Sequence, residues 1–188
     1  MLKNKYAPAA GLILLSEPFM PDPNFKRTVV LLCEHITDGG TVGFILNRTL
    51  NIKVSDAMVD FDDINNMLYY GGPVAQDTLH YLHTYGDFIE DSLPIVDDVC
   101  WGGNFEQLTN LLKAGTIEAS RIKFFLGYSG WSPGQLDDEL KDNAWIVTPG
   151  KRNYVFADDE KTLWKCVLKD MGGEYSQIIN YPENPILN

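Results

Sequence analysis

Short runs of apolar and β-branched residues alternate along the chain with polar stretches rich in glycine and proline, a pattern that predicts β-strands joined by loops. Three nearly continuous apolar runs, at residues 28–34, 41–47 and 121–127, are typical of strands buried on both faces. We expect further strands at residues 11–16, 79–84 and 144–148, and the second half of the chain starts near residues 96–101. The first two buried runs are close enough to form a hairpin with a loop of about six residues.

Helical segments are marked mainly by their capping residues. Asn104 with Gln107, and Ser132 with Gln135, have the spacing of a capping box, which predicts helices that begin at these two points. A longer helix is predicted to open near residue 158 and to bury an apolar stripe of leucine, valine and tryptophan. Weaker helical patterns occur at residues 54–58 and 64–67.

Neither a linker nor a low-complexity segment divides the chain. We therefore predict a single compact domain over residues 1–175, followed by an extended C-terminal tail over residues 176–188 that packs on the surface. Each half of the domain has a buried strand that ends at a polar loop and is followed by another strand, which is compatible with two similar halves around one core. The expected fold class is α+β, with a mixed β-sheet core and flanking helices.

The charge balance bears on the partners that the protein can bind. Acidic residues outnumber basic ones, 26 to 15, so the formal net charge is 15 − 26 = −11. A surface that binds duplex DNA needs clustered lysine and arginine, whereas the basic residues here are scattered and occur at most in pairs. The sequence therefore disfavours direct binding of nucleic acid. Solvated acidic surface is predicted at residues 60–63, 97–98, 137–139 and 158–160.

The lengths of the apolar runs and the spacing of the cysteines indicate the cellular compartment of the protein. No continuous apolar stretch approaches the roughly 20 residues that a membrane-spanning helix requires. The basic N-terminus resembles the start of a signal peptide, but the apolar run that follows meets Glu17 and Pro18 at once, so we predict no export. Cys33, Cys100 and Cys166 are widely spaced and form no Cys-x-x-Cys pair, which suits thiols in a reducing cytoplasm. We therefore expect a cytoplasmic protein with no membrane partner.

The stretch at residues 127–136 passes from a strand through a glycine-rich turn into a capped helix, as nucleophile elbows and phosphate loops do. The nucleophile motif requires a glycine two residues after the serine, but Trp131 stands in that place after Ser129. The chain also has no Gly-Lys-Ser or Gly-Lys-Thr sequence of a phosphate-binding P-loop. We therefore interpret this stretch as a structural turn that forms one wall of a groove.

Side chains suited to catalysis are few. Cys33 and His35 lie two residues apart at a strand end, so we expect them on one face, where the imidazole could activate the thiol. His80 and His83 are three apart on a predicted strand and should point to opposite faces, which makes them poor joint metal ligands. We predict no metal and no cofactor, and we favour a non-catalytic protein. The alternative is a thiol- or histidine-dependent, hydrolase-like enzyme that uses His35, Cys33 and His83.

The loops at the strand ends predict a binding groove. Gly71 and Gly72 are interpreted as a turn in which the chain closely approaches another backbone. Asn47 and Arg48 end a strand, where the arginine can hold an anionic group or form a bridge to a carboxylate. The predicted groove residues are Arg48, Asn47, His35, Gly71, Gly72, Pro73, Tyr128, Ser129, Trp131 and Gln135.

Several of these motifs together resemble the YqgE/AlgH family of bacterial proteins. The matching segments are residues 22–25, 28–30, 34–35, 43–48 (Gly-Phe-Ile-Leu-Asn-Arg), 71–74 (Gly-Gly-Pro-Val), 82–83, 126–136 (Leu-Gly-Tyr-Ser-Gly-Trp-Ser-Pro-Gly-Gln-Leu) and 143–145. The resemblance covers about residues 11–172 and implies a mixed α/β fold of two similar, intertwined halves, with no established activity, cofactor or catalytic set. The chain departs from the family at Ser129, where alanine is usual, and at Ile36, where asparagine usually follows the histidine.

We therefore expect a cytoplasmic binding or regulatory module without catalysis. Members of the family are often labelled transcriptional regulators, but this acidic chain has no recognisable DNA-reading helix that supports the label. The partner would be a protein, a peptide or a small molecule that the sequence does not identify, and the sequence leaves the oligomeric state open. The alternatives are the enzyme described above and a DNA-binding regulator.

Overall fold

The apolar runs form the strands of one curled sheet in a computed structural model, which describes residues 6–58, 61 and 64–182. The strands are β1 (Leu12–Ser16), β2 (Val29–Ile36), β3 (Gly40–Ile45), β4 (Thr49–Lys53), β5 (Met67–Tyr70), β6 (Val74–His83), β7 (Leu93–Val96), β8 (Val99–Trp101), β9 (Ile122–Trp131) and β10 (Trp145–Pro149). The helices are α1 (Val54–Ala57), α2 (Phe105–Lys113), α3 (Gln135–Lys141), α4 (Arg152–Val155), α5 (Glu160–Met171) and α6 (Tyr175–Ile178).

The sheet is antiparallel except at one pair of strands, and its main path runs β10-β1-β2-β3-β9-β6-β8-β7. The long strand β9 pairs with β6 along one edge, and with β5 and then β3 along the other, so it is the centre of the fold. Strand β5 lies parallel to β9 and pairs with β4. The predicted mixed α+β domain is thereby confirmed, in the form of a curled antiparallel half-barrel with several helices. The division into two similar halves stays a prediction.

Hydrophobic layers cover both faces of the central strands. On one face, Ile13, Leu31 and Phe44 pack with the apolar stripe of α5. This stripe is buried at Leu163, Trp164, Val167 and Leu168, as the sequence predicts. On the other face, the neighbouring residues of the same strands form a second layer with α3 and two tryptophans. A third cluster lies beneath α2. Over the described residues, no helix is long and apolar enough to cross a membrane.

Two of the three predicted helix starts are confirmed. The Asn104 side chain caps α2 by accepting a hydrogen bond from the Gln107 N–H, and Asp159 caps α5. The prediction for α3 is wrong by two residues, because Gly134, with φ 77°, occupies the N-cap position in the left-handed conformation. The Ser132 N–H still donates to Oε1 of Gln135, at 3.0 Å, so half of the predicted capping box is present.

Other differences from the prediction concern short elements. Residues 64–66 have no regular secondary structure and β5 begins at Met67, so the weak helical pattern at residues 64–67 does not form a helix. Strand β4 and helix α4 were not expected from the sequence. The β2–β3 hairpin is tighter than expected, since Ile36 pairs with Gly40 across the turn. The segment expected to be an extended tail from residue 176 begins with the helical turn α6, while residues 183–188 lie outside the described part. The boundary of the domain stays a prediction. The acidic group at residues 60–63 falls largely outside the described residues, with only residue 61 included.

Candidate functional site

The glycine turn between β5 and β6 packs directly against the backbone of β9, as the sequence predicts. The Gly71 N–H donates to the Leu126 carbonyl at 2.9 Å. A Cβ atom on Gly71 would lie 2.1 Å from the carbonyl oxygen of Gly127, and one on Gly72 would lie 2.3 Å from the amide nitrogen of Ser129. Only glycine allows this approach, so these two residues serve the crossing of the chain segments.

Ser129 lies within this crossing and is fully buried. Its Oγ donates to the carbonyl oxygen of Gly71 at 3.0 Å. A buried hydroxyl that is committed to a backbone acceptor has no free path to a substrate, which supports its structural interpretation. Tyr128, next to it, is half-buried with its ring 5.8 Å from the ring of His80, and Pro73 is also half-buried.

Trp131 and Gln135 are brought together by a residue that the sequence reasoning missed, Glu139. One oxygen of the Glu139 carboxylate accepts from the indole N–H of Trp131 at 2.9 Å and from that of Trp145 at 2.6 Å. The other oxygen accepts from the Gln135 amide at 2.9 Å. Because Trp131 is only 5% exposed and packs against Phe25, this arrangement fixes α3 to the sheet.

Asn47 and Arg48 follow β3 in the chain, and their side chains form hydrogen bonds with backbone atoms. The Asn47 amide accepts from the Val29 N–H and donates to the Arg27 carbonyl, both at 2.9 Å. The Arg48 guanidinium donates to the carbonyl oxygen of Lys26 at 3.0 Å. The structure thus places the glycine turn next to Tyr128 and Ser129, and it places Trp131 next to Gln135. Asn47 and Arg48 instead form hydrogen bonds with the backbone at the start of β2 and in the loop before it. The binding role of this predicted groove stays a prediction.

The expectation that Cys33 and His35 share a face is wrong. The register shifts between Leu32 and Glu34, so Cys33 is the extra residue of a β-bulge, and the alternation of faces is interrupted there. Cys33 packs in the layer beneath α5, whereas Nδ1 of His35 lies 2.7 Å from Oγ1 of Thr41 on the opposite face. Burial raises the pKa of the Cys33 thiol, which is the reverse of what a nucleophile requires.

His83 is fully buried and its hydrogen bonds fix its tautomer. Nδ1 accepts from the Tyr85 N–H at 3.1 Å, so Nε2 carries the proton and donates to the Gly102 carbonyl at 2.8 Å. Burial lowers the pKa of His83, against the opposing effect of the bond to Gly102. No hydrogen bond among the described residues joins His83 to His35 or Cys33, and no three His, Cys, Asp or Glu side chains in this part of the chain gather as metal ligands.

Lys123 is a buried lysine, and it lies in the run at residues 121–127 that the sequence predicts to be a buried strand. Lys123, in β9, is 5% exposed. Its Nζ donates to the carbonyl oxygens of Leu46, at 2.8 Å, and Val155, at 3.2 Å. The ammonium also lies 3.9 Å from the centre of the Tyr69 ring. Burial lowers the pKa of Lys123 to about 7, although the charge of Glu160 opposes the shift.

Tyr69 and Glu160 complete this cluster. The Tyr69 hydroxyl, at the end of β5, donates to Oε1 of Glu160, the first residue of α5. Burial, followed by this hydrogen bond, raises the pKa of Tyr69. The phenol therefore stays protonated at neutral pH and joins the sheet to α5.

The cluster borders a cleft of about 240 Å³. Its lining residues are Asn66, Met67, Tyr69, Ser120, Ile122, Lys123, Phe156, Ala157 and Asp158. The Asn66 amide nitrogen donates to the carbonyls of Ala119 and Ile122, at 2.7 and 2.8 Å, and this leaves Oδ1 without a partner among the described residues. The cleft thus combines an aromatic wall, an amide acceptor and one amine with the carboxylate of Asp158.

Comparison with known proteins identifies the family. The model of the AlgH-like family, DUF179, matches residues 13–176. The UPF0301 protein CT0663 of Chlorobaculum tepidum is 44% identical over 178 residues, which are 95% of both chains. A UPF0301 protein of Cytophaga hutchinsonii is 42% identical over 179 residues, which are 95% of this chain and 98% of the relative. The chain therefore belongs to the AlgH-like family, as the motifs predicted.

Two solved structures have a similar fold. The crystal structure of protein DIP2367 from Corynebacterium diphtheriae matches with a TM-score of 0.79 at 22% identity, over 96% of this chain and 95% of that one. The solution structure of the AlgH protein from Pseudomonas aeruginosa matches with a TM-score of 0.71 at 26% identity, over 95% of this chain and 98% of that one. These likenesses extend over nearly the whole length, so the two proteins share the fold of this chain.

Proposed function

We propose that this protein is a cytoplasmic binding module of regulatory type, which captures a small molecule in the cleft beside Lys123 and catalyses no reaction on it. The observation that carries the proposal is a buried amine at the wall of a cleft whose other polar groups are an amide, a carboxylate and two hydroxyls. The volume of about 240 Å³ lies below the range of drug-sized sites, so the ligand is a small metabolite.

The charges around the cleft limit the kind of ligand. Among the described residues that line the cleft, Lys123 is the one cation. Asp158 also lines the cleft, and the charge of Glu160 acts on the amine. An anionic ligand would meet these carboxylates, whereas a neutral polar molecule can use the free Oδ1 of Asn66 and stack against Tyr69 or Phe156. A neutral, polar small molecule is therefore the best fit.

The arrangement of the polar residues favours binding over catalysis. Cys33, His35 and His83 occupy separate environments, and His83 holds its proton on the nitrogen that a general base would need free. The net charge of −11 also disfavours a role as a DNA reader. The three cysteines are free thiols, which supports a reducing compartment.

A thermal-shift screen with neutral sugars, polyols, aldehydes and ketones tests the proposal. A ligand at 100 times its Kd stabilises by about 2.7 kcal/mol, which raises the Tm of a chain of this size by several degrees. The variant Ala157→Leu fills the cleft without removing a side-chain hydrogen bond, and Ala114→Leu, at the exposed C-cap of α2, is the matched control.

The proposal predicts hits that are lost in Ala157→Leu and kept in Ala114→Leu. It is refuted if no neutral compound at millimolar concentration shifts the Tm, or if both variants keep every hit equally.

A further inference from the structure

We propose that the side-chain amine of Lys123 condenses reversibly with the carbonyl group of a small aldehyde or ketone held in the cleft. This inference rests on the proposed function and names the class of ligand. It makes Lys123 a covalent binding group.

The geometry around Nζ suits this reaction. A neutral amine has two N–H donors, and the carbonyl oxygens of Leu46 and Val155 accept both, while no hydrogen bond among the described residues uses the nitrogen lone pair. Lys123, whose Nζ these two contacts fix in position, is one of the residues that line the cleft, together with Tyr69 and Phe156. A surface lysine has neither fixed acceptors nor an enclosing wall.

The reaction balances without any oxidant or reductant. The Nζ lone pair attacks the carbonyl carbon, and a proton moves from nitrogen to the carbonyl oxygen to give a carbinolamine. Loss of that hydroxyl as water forms the C=N bond, so the products are one imine and one water molecule. When the imine is protonated, its positive charge remains next to the ring of Tyr69 and near Glu160, which both stabilise a cation.

The protonation state of the amine adds independent support. Burial lowers the pKa of Lys123 to about 7, so about half of the side chains are neutral at pH 7. At the ordinary lysine pKa of about 10.4 the neutral fraction would be about 10³-fold smaller. Desolvated lysines of this kind are the ones that form Schiff bases with carbonyl substrates.

The test is reductive trapping of the whole protein with propanal and sodium cyanoborohydride at pH 7, followed by peptide mapping. We expect an N-propyl group on Lys123 at a level at least about tenfold above that on Lys165, an exposed lysine of α5. The α-amino group of the chain, with an ordinary pKa near 8, shows that the reagents are active. Since the adduct is mapped in the unaltered protein, the test does not depend on the folding of a variant.

Two further arms separate this inference from the proposed function. Ala157→Leu should reduce the labelling of Lys123, while Ala114→Leu should leave it unchanged. Nuclear magnetic resonance titration with 1-propanol, which has no carbonyl, reports non-covalent occupancy of the cleft. Labelling of Lys123 no greater than that of Lys165 overturns the imine. If Lys123 is not labelled but propanol binds and Ala157→Leu abolishes that binding, the proposed binding function of the cleft is retained. If propanol does not bind either, both the imine and the proposed binding function are refuted.

Discussion

Replacing Lys123 with methionine should change how the stability of the protein depends on pH. The folded chain holds this amine with a pKa of about 7, whereas in the unfolded chain it titrates near 10.5. Below pH 7 the lysine is charged in both states, so the folded state bears the full free-energy cost of burying that charge. Between pH 7 and 10.5 the unfolded chain binds more protons than the folded one, so stability rises with pH as the penalty disappears.

The size of the effect follows from the two pKa values. Each pKa unit corresponds to about 1.4 kcal/mol, so a difference of roughly 3.5 units gives a total penalty of about 5 kcal/mol below pH 7. From pH 7 to pH 9 the lysine should recover about 2 kcal/mol of that penalty. Methionine has a similar length and no charge, so the variant lacks this dependence.

Urea unfolding followed by tryptophan fluorescence at pH 7, 8 and 9 measures the effect. The quantity of interest is the unfolding free energy of the wild type minus that of Lys123→Met, because tyrosines and cysteines that titrate in the same range cancel in the difference. This difference should become more positive by about 2 kcal/mol between pH 7 and 9. The matched control, Lys165→Met on the exposed face of α5, should give a constant difference.

A flat difference for Lys123→Met would refute the reasoning, since it would mean that the amine keeps its proton equally well in both states. A difference that falls as the pH rises would refute it too. Such a fall would require the pKa of Lys123 to be higher in the folded chain than in the unfolded one.

Three further predictions follow from buried contacts. Gly71→Ala should destabilise the fold by about 3 kcal/mol in urea unfolding, because its Cβ would lie 2.1 Å from the Gly127 carbonyl oxygen; a change below about 0.5 kcal/mol would contradict the tight crossing. Glu139→Ala should cost roughly 2 to 4 kcal/mol, since two indole N–H groups lose their acceptor, and an unchanged unfolding midpoint would count against that role. Ellman's reagent should modify one thiol quickly in the native protein, that of exposed Cys166, and the two buried thiols only on unfolding; three fast thiols would contradict the packing.

The structure also changes how the predicted groove should be tested. Trp131 is 5% exposed and donates to Glu139, so Trp131→Ala would remove core packing and report on folding as much as on binding. Gln135 is exposed, and its replacement disturbs little of the core. Gln135→Ala is therefore the better variant for asking whether the loops capture a partner.

Long apolar runs and capping residues made most of the fold predictable. The runs at residues 28–34 and 121–127 became β2 and β9 because continuous burial admits few alternatives. Strand β4 has three exposed residues at its end and β5 only four residues in all, so neither has a pattern that could identify it. Their pairing depends on β9, which is distant in sequence.

The chemistry of the candidate site was less predictable than the fold. The period of two placed Cys33 and His35 together, but a bulge, which no local pattern indicates, separates them. A lysine inside the run at residues 121–127 was a signal for Lys123, since charge is rare in a strand buried on both faces. The carbonyls of Leu46 and Val155 that hold it come from distant segments, so its burial and its cleft required the tertiary structure.

The central claim is that the cleft beside Lys123 is the binding site of this protein. The most direct test is a nuclear magnetic resonance titration of the ¹⁵N-labelled chain with the neutral compounds that shift its Tm. We predict that amide signals change around the cleft, at Ser120, Ala157 and Asp158, and that Ala157→Leu removes the changes. Changes confined to the loops around Tyr128 and Gln135 would contradict the claim and assign binding to the groove instead.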